Sequence, residues 1–593
     1  MSVVLKIKTA TVQAIEQLYG LSLPVDQILV NATKPEFEGD YTVVLFAFVK
    51  QLKKTPDALG QELGDALVAA NPTLFNSYNI IKGFLNLVIA NQFWMDFVEQ
   101  EKNNTFFGTQ QPNGKSVMVE YSSPNTNKPL HLGHLRNNFL GWSIAEILKA
   151  NGYQVTKTCI VNDRGIHICK SMIAWQLFGN GATPESTNMK GDHFVGDYYV
   201  KFNDEYKLQI ASLVATGMDA AQAEKEAPIM KATQQMLLDW ENGNAEVLNL
   251  WKRMNEWVYA GFDTTYKKIG SDFNKTYFES QTYLLGKDLV AAGLEKKVFF
   301  QKEDTSVWID LTADGLDEKL VQRKDGTSVY MTQDIGLAVN KYQEFKADQS
   351  IYVVGDEQNY HFKVLKLICQ KLGIPAADGI YHLSYGMVEL PTGKMKSREG
   401  TVVDADDLVD AMVNIAQQKT EELGKVKDFT TEELAELYDT IGLGALKFFL
   451  LRVDPKKKMI FNPEESIDFH GFTGPFIQYT HARIKSILRK LCAESFATTT
   501  ATGILLPLEK SLSKHLELFP DTITEAATEH DPSKLAIYLF ELAKIFNTFY
   551  TQHSIANAES EEKKLIRLQL ANLTALVLNK GMQLLGINVP ERM

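Results

Sequence analysis

Cysteine is scarce in this chain. Four occur among 593 residues (Cys159, Cys169, Cys369 and Cys492) and none sits in a CxxC pair, so a zinc ribbon or a disulfide framework lacks its material. No protein-bound metal is expected, and the thiol-poor composition suggests the cytoplasm. Long apolar runs are also missing. The longest, Tyr41 to Val49, falls far short of the ~18 residues that span a bilayer, and MSVVLKIKTATVQ has no signal-peptide core. Excess positive charge is absent too: 61 Lys+Arg against 73 Asp+Glu give a net charge of −12, which argues against holding a polyanion by bulk charge. The deficit is uneven, since Pro455–Met593 carries 16 Lys+Arg against 15 Asp+Glu.

What is present reads as several folded units. Hydrophobic residues make up 45% and charged residues 23%, ordinary for globular domains, and at roughly 150 residues each the length allows about four. Residues 1–112 mix helical periodicity with short β-rich runs (YTVVLFAFV, GFLNLVIA), an α+β domain closed by the turn-rich FGTQQPNGK. Val117–Tyr121 then predicts a strand. A helix follows with the stripe Leu140, Ile144, Ile147 and Leu148, stopped at Asn151-Gly152, and Tyr153–Val161 predicts the next strand. This βαβ unit opens a parallel sheet, assigned to 113–403 with a helical insertion at about 171–270. A helical connector (404–454) and an all-helical bundle (455–593) complete the expected order.

The first βα turn of such a sheet is where phosphates bind, because a helix N-terminus offers free N–H groups and partial positive charge. Here it carries Lys128, His131, Gly133 and His134 (HLGH). The histidines can donate to phosphate oxygens, most strongly if charged, and Gly133 lets backbone approach a ligand. Two histidines three apart are also commonly a capping detail or half a metal site. Gly114-Lys115-Ser116 imitates the end of a P-loop, but Gly108 is misplaced and the motif precedes its strand. Far downstream, Lys394-Met395-Lys396-Ser397-Arg398 puts three cations in five residues on a Gly-flanked segment. Alone it would be a solvated loop; paired with HLGH it suits a clamp on a triphosphate.

That pair resembles the two sequence marks of class I aminoacyl-tRNA synthetases. The segments VEYSSPNTNKPLHLGHLRNNFLG, DGTSVYMTQDIG, GKMKSREGTVV, GPFIQYTHARIKSIL and LGINVPERM narrow the resemblance to the arginyl branch over nearly the whole chain. It implies a class I Rossmann-type catalytic domain with a helical insertion, an N-terminal α+β domain and a C-terminal helical bundle that binds the anticodon. It also implies that arginine attacks the α-phosphate of ATP, supplied with Mg²⁺ as substrate, and then passes to the 3′ end of tRNA(Arg). Pyrophosphate exchange is expected to need that RNA, and the enzyme to be monomeric.

By this resemblance His131, Gly133, His134, Lys394, Met395 and Lys396 hold ATP. The general class pattern would put lysine where Ser397 stands and serine where Lys396 stands, so Lys128 and Lys396 both remain candidates for the transition-state charge. Ser123, Asn125, Glu279, Tyr330, Asp334 and Gln358 match residues around arginine. A forked guanidinium needs carboxylate partners, and Glu279 and Asp334 supply them. Phe84, Asn86, Tyr479, Tyr550 and Met593 match RNA-contacting positions, although the two tyrosines equally suit a bundle core. A glutamyl or glutaminyl enzyme, a non-catalytic RNA-binding paralogue and a small adenylyltransferase are the alternatives. The helical C-terminus, the intact Lys128, His131, His134 and Lys394, and the chain length respectively disfavour them.

Overall fold

The computed structural model describes residues 2–34, 36–389, 391, 403–422, 424, 428–491 and 503–593. The N-terminal part is an antiparallel sheet of β1 (Val30–Ala32), β2 (Tyr41–Val44), β3 (Phe75–Ile81) and β4 (Phe84–Ile89), in the order β1-β2-β4-β3. The helix Val3–Tyr19 buries Val3, Ile7, Ala10 and Ala14, a helical-period stripe. The run Tyr41–Val49 divides: β2 ends at Val44 and a helix begins at Phe46.

The chain continues through β5 (Ser116–Glu120), β6 (Gln154–Val161) and β7 (Lys275–Phe278). It then makes a three-stranded sheet of β8 (Phe300–Gln301), β9 (Val307–Ile309) and β10 (Lys319–Gln322), and returns with β11 (Gln349–Gly355) and β12 (Ile380–Tyr385). Five of these strands form one parallel sheet, β12-β11-β5-β6-β7. Val117, Met118, Val119, Ile351, Tyr352 and Val353 are all buried, as expected where helices cover both faces. Strand order reverses between β5 and β11, so their C-terminal ends border a crevice of the kind that holds ligands in open α/β sheets.

The helix Leu132–Ala150 follows β5. Its predicted stripe is buried, but so are Arg136, Asn137, Asn138 and Ser143 on other faces. The helix is clamped on both sides. Arg136 donates to the carbonyls of Pro455 (3.0 Å) and Lys457 (2.9 Å), and Ser143 to that of Leu584 (2.9 Å). A one-face periodicity reading undercounts a helix that serves as an axle between a sheet and a bundle.

Between β6 and β7 run helices from Ile166–Phe178 to Ala245–Ile269. Among the described residues after β12, the strands are β13 (Val388–Glu389) and β14 (Met459–Ile460), which pair in parallel, and the other elements are helices. The N-terminal sheet docks on the last helices. The Val3 amide donates to Glu517 (2.6 Å), Lys510 pairs with Asp40 (2.7 Å), and Asn572 donates to the Lys102 carbonyl (2.6 Å). Cys159, Cys169 and Cys369 are buried and free, while Cys492 lies outside the described residues. Among the described residues, no helix is long and apolar enough to cross a membrane.

Candidate functional site

At the end of β5 the backbone turns through Ser122 (φ 78°) and Ser123 (φ 46°), a left-handed conformation that non-glycine residues adopt at a cost. The turn is held by neighbours. Asn137 Oδ1 accepts from the Ser122 amide (2.5 Å), Ser122 Oγ meets the Tyr266 hydroxyl (2.7 Å), and Asn162 donates to the Ser123 carbonyl (3.3 Å). Eight residues later His131 caps the Leu132–Ala150 helix. Its Nδ1 accepts from the Gly133 amide (3.1 Å), while His134 Nδ1 accepts from the His131 amide (3.2 Å). This reciprocal capping box uses imidazoles where Ser and Glu are usual.

The geometry fixes the protonation. A ring nitrogen that accepts from backbone has no proton, so each neutral ring carries its proton on Nε2, free to donate. Burial, together with the Lys128 charge, pushes His131 down to about 3 and holds His134 well below the usual histidine range. The sequence left charged imidazoles open; the structure makes them neutral donors, and the cationic charge falls to Lys128. Gly133 also acts differently from expectation, because a Cβ there would lie 3.0 Å from the His131 ring. Its bareness makes room for the cap itself. Beside this N-terminus Thr126 Oγ1 and Asn127 Oδ1 are buried without partners, polar atoms that a bound ligand would satisfy.

Four of the six expected arginine residues line a cavity of about 970 Å³ that opens between β6, β7 and the helix Tyr330–Phe345. Asn125, Glu279, Tyr330 and Asp334 line it; Ser123 and Gln358 are not in its wall, and Gln358 is exposed after β11. Burial raises the Glu279 carboxyl to about 7, with Asp163 and Asp334 adding repulsion and Arg164 opposing it. Asp334 is held by His361 at 2.6 Å.

Sequence reasoning missed Asp163, Arg164 and His361. Asp163 is buried and accepts from the Ser280 amide (2.8 Å), Ser280 Oγ (2.7 Å) and Tyr259 (2.9 Å), which anchors the residue after Glu279. The Arg164 guanidinium lies 3.9 Å from the Tyr283 ring centre and 5.2 Å from that of Trp240, and pairs with Glu241 at 2.8 Å. One signal could have found the first two: Asp163-Arg164-Gly165 sits just past the C-terminal end of a parallel strand.

Lys394, Met395 and Lys396 lie outside the described residues. The chain beyond them is placed. The Leu132 amide donates to the Val403 carbonyl (3.3 Å) and the Ala405 amide to that of Leu130 (3.0 Å), so residues 403–405 lie against the His131 cap in an isolated bridge, His131 to Asp404. Of the expected RNA residues, Phe84 is 38% exposed. Asn86 is buried, its amide engaged by Thr42 (2.6 Å) and Asn79 (2.9 Å), which leaves its side chain committed to the sheet. Tyr479 and Tyr550 are half-buried; Arg483 covers one ring at 4.8 Å and Phe546 stacks on the other. Met593, also half-buried, packs against the bundle core.

Three family models match in order along the chain: an arginyl tRNA synthetase N-terminal domain over residues 5–89, a tRNA synthetases class I (R) catalytic domain over 98–462, and a DALR anticodon-binding domain over 477–593. An arginine–tRNA ligase of Flavobacterium psychrophilum is 54% identical, with 98% of each chain covered, and one of Amoebophilus asiaticus is 52% identical over 100% of both. Among solved structures, the arginyl-tRNA synthetase of Thermus thermophilus superposes with a TM-score of 0.80 at 25% identity, covering 99% of each chain.

Proposed function

The chain belongs to the arginyl-tRNA synthetase family, and from that premise we propose how its residues divide the work of an arginine–tRNA ligase. The reaction joins arginine to AMP at the expense of ATP, which arrives with its Mg²⁺, and then transfers the arginyl group to tRNA(Arg) in protein synthesis. In-line displacement at phosphorus needs positioning and charge stabilisation more than a proton carrier. Two neutral Nε2–H donors and a helix N-terminus suit that need. Lys128, beside the cap, supplies fixed positive charge there, and Lys394 and Lys396 would add theirs from the segment that leads to Val403.

Arginine would enter the acidic cavity, its fork meeting Glu279 and Asp334 while Asn125 and Tyr330 border it. Loss of the Glu279 proton on binding couples recognition to charge: a neutral side chain of similar length gives the carboxyls nothing to pair with. Ser123 sits where the strained turn meets the crevice and Gln358 at the end of β11, consistent with contacts to the amino and carboxylate groups. Phe84, Tyr479, Tyr550 and Met593 are the surface we assign to RNA; the cytoplasm is the matching compartment.

The observation that carries this reading is the pairing of a phosphate-type helix cap with a half-buried carboxyl, Glu279, whose proton affinity is raised. The deciding measurement is acid-stable charging of total tRNA with ATP, Mg²⁺ and each amino acid in turn. Arginine alone should be charged; charging of glutamate or glutamine, or of none, would overturn it.

A further inference from the structure

Four segments meet beside the helix Leu132–Ala150. Trp142, the end of the insertion (Lys267, Lys268, Gly270), the helix Thr431–Leu451 and the tail Gly586–Asn588 enclose a cavity of about 420 Å³. Lys447 lines it and is only 6% exposed. Its ammonium donates to the Gly586 carbonyl at 2.6 Å and lies 5.4 Å from the Phe139 ring centre. Among the described residues no carboxylate is paired with it, in contrast to the buried Lys341, which is bound to Glu120.

A buried charge without a counter-ion is costly, and an ammonium has three donors where one is used here. Burial brings Lys447 down to about 8, so it remains mostly charged at neutral pH. At the rim Lys268 is matched by Asp410, and Lys267 reaches Asp263 only at 3.6 Å. The unmatched positive charge of this cavity is therefore that of Lys447.

We propose that the Lys447 cavity receives a phosphate group, and that the RNA substrate's backbone supplies it. This rests on the ligase reading above. Trp142 lies about 16 Å along the helix from His131, which puts the cavity between the catalytic end and the bundle. Gln478 ties its floor to the RNA-facing helix by donating to the carbonyls of Thr440 (3.0 Å) and Asn588 (2.8 Å), one residue before Tyr479. An RNA reaching from the active site to the bundle would cross this junction.

The test measures tRNA(Arg) binding by wild type and Lys447→Gln from 50 to 300 mM KCl. One lost duplex phosphate contact lowers the slope of log K against log[salt] by about 0.9, or about eightfold in affinity near 0.1 M. Arginine and ATP KM should stay at wild-type values. An unchanged slope in a folded Lys447→Gln protein overturns the RNA contact and makes Lys447 a pin for the C-terminal tail. A second arm adds inorganic phosphate without RNA: stabilisation of wild type but not of the variant, with an unchanged slope, would identify a free anion as the occupant. If Lys447→Gln does not fold, the rim variant Lys267→Ala/Lys268→Ala is read by the same slope. Wild-type charging of arginine with no slope change sinks only this inference; no charging at all sinks the ligase reading.

Discussion

Burial acts in opposite directions at two places along one sheet edge. At the cap of the Leu132–Ala150 helix, imidazoles whose ring centres are 4.0 Å apart shed their protons. Beyond β7, Glu279 holds its proton up to about pH 7. Low dielectric disfavours whichever form is charged, so both groups become neutral. The consequences differ because the ligands differ. On the proposed reading a neutral imidazole can still donate to phosphate, so the cap would be ready before ATP arrives. A neutral carboxyl is a poor partner for guanidinium, so on the same reading the acidic pocket would become complementary only as the cation enters.

The largest test of the ready-made end is His134→Ala. It removes both a donor and half of the capping box, and should slow arginine activation by about a hundredfold or more. Pyrophosphate exchange measured with tRNA present would read it, with circular dichroism as the control for folding. An unchanged rate would detach the cap from the chemistry. At the other end, Asp334→Asn should raise the arginine KM by about tenfold to a hundredfold, the worth of one charge-assisted hydrogen bond, with little change in the ATP KM. Equal effects on both would remove Asp334 from the pocket.

The comparison sharpens with pH. Glu279 is protonated below about 7, and if arginine pairs with its carboxylate as proposed, affinity should fall as pH falls. Between pH 7.5 and 6 the arginine KM should rise about eightfold from this one group. In Glu279→Gln that slope should flatten, while the two capping histidines, already neutral, contribute no titration of their own there. The smallest effect is expected from Arg164→Lys, which keeps the charge but loses the planar fit between Tyr283 and Trp240. A rise of about threefold in arginine KM is expected, without a shift of the Glu279 profile.

Legibility followed contiguity. His131, Gly133 and His134 are neighbours in sequence, and a capping box closes over three residues, so this part of the site could be read from a few letters. The acidic pocket draws Asp163 and Arg164 from the end of β6, Glu279 from the end of β7, and Asp334 and His361 from two later helices. No local pattern links them, and Glu279 and Asp334 were found only through the family resemblance. The same limit explains the Leu132–Ala150 helix: its stripe was visible, whereas the burial of Arg136 depends on carbonyls at 455 and 457.

By itself the sequence determined the order of domains, the strand–turn–helix that carries HLGH and the chemical types available to meet phosphate and guanidinium, because propensity, periodicity and capping act over a few residues. The tertiary structure alone decided the proton on each buried group, the strained turn at Ser122–Ser123 and the unmatched ammonium of Lys447. A proton's affinity depends on every charge and dipole packed around it, and those come from positions hundreds of residues apart.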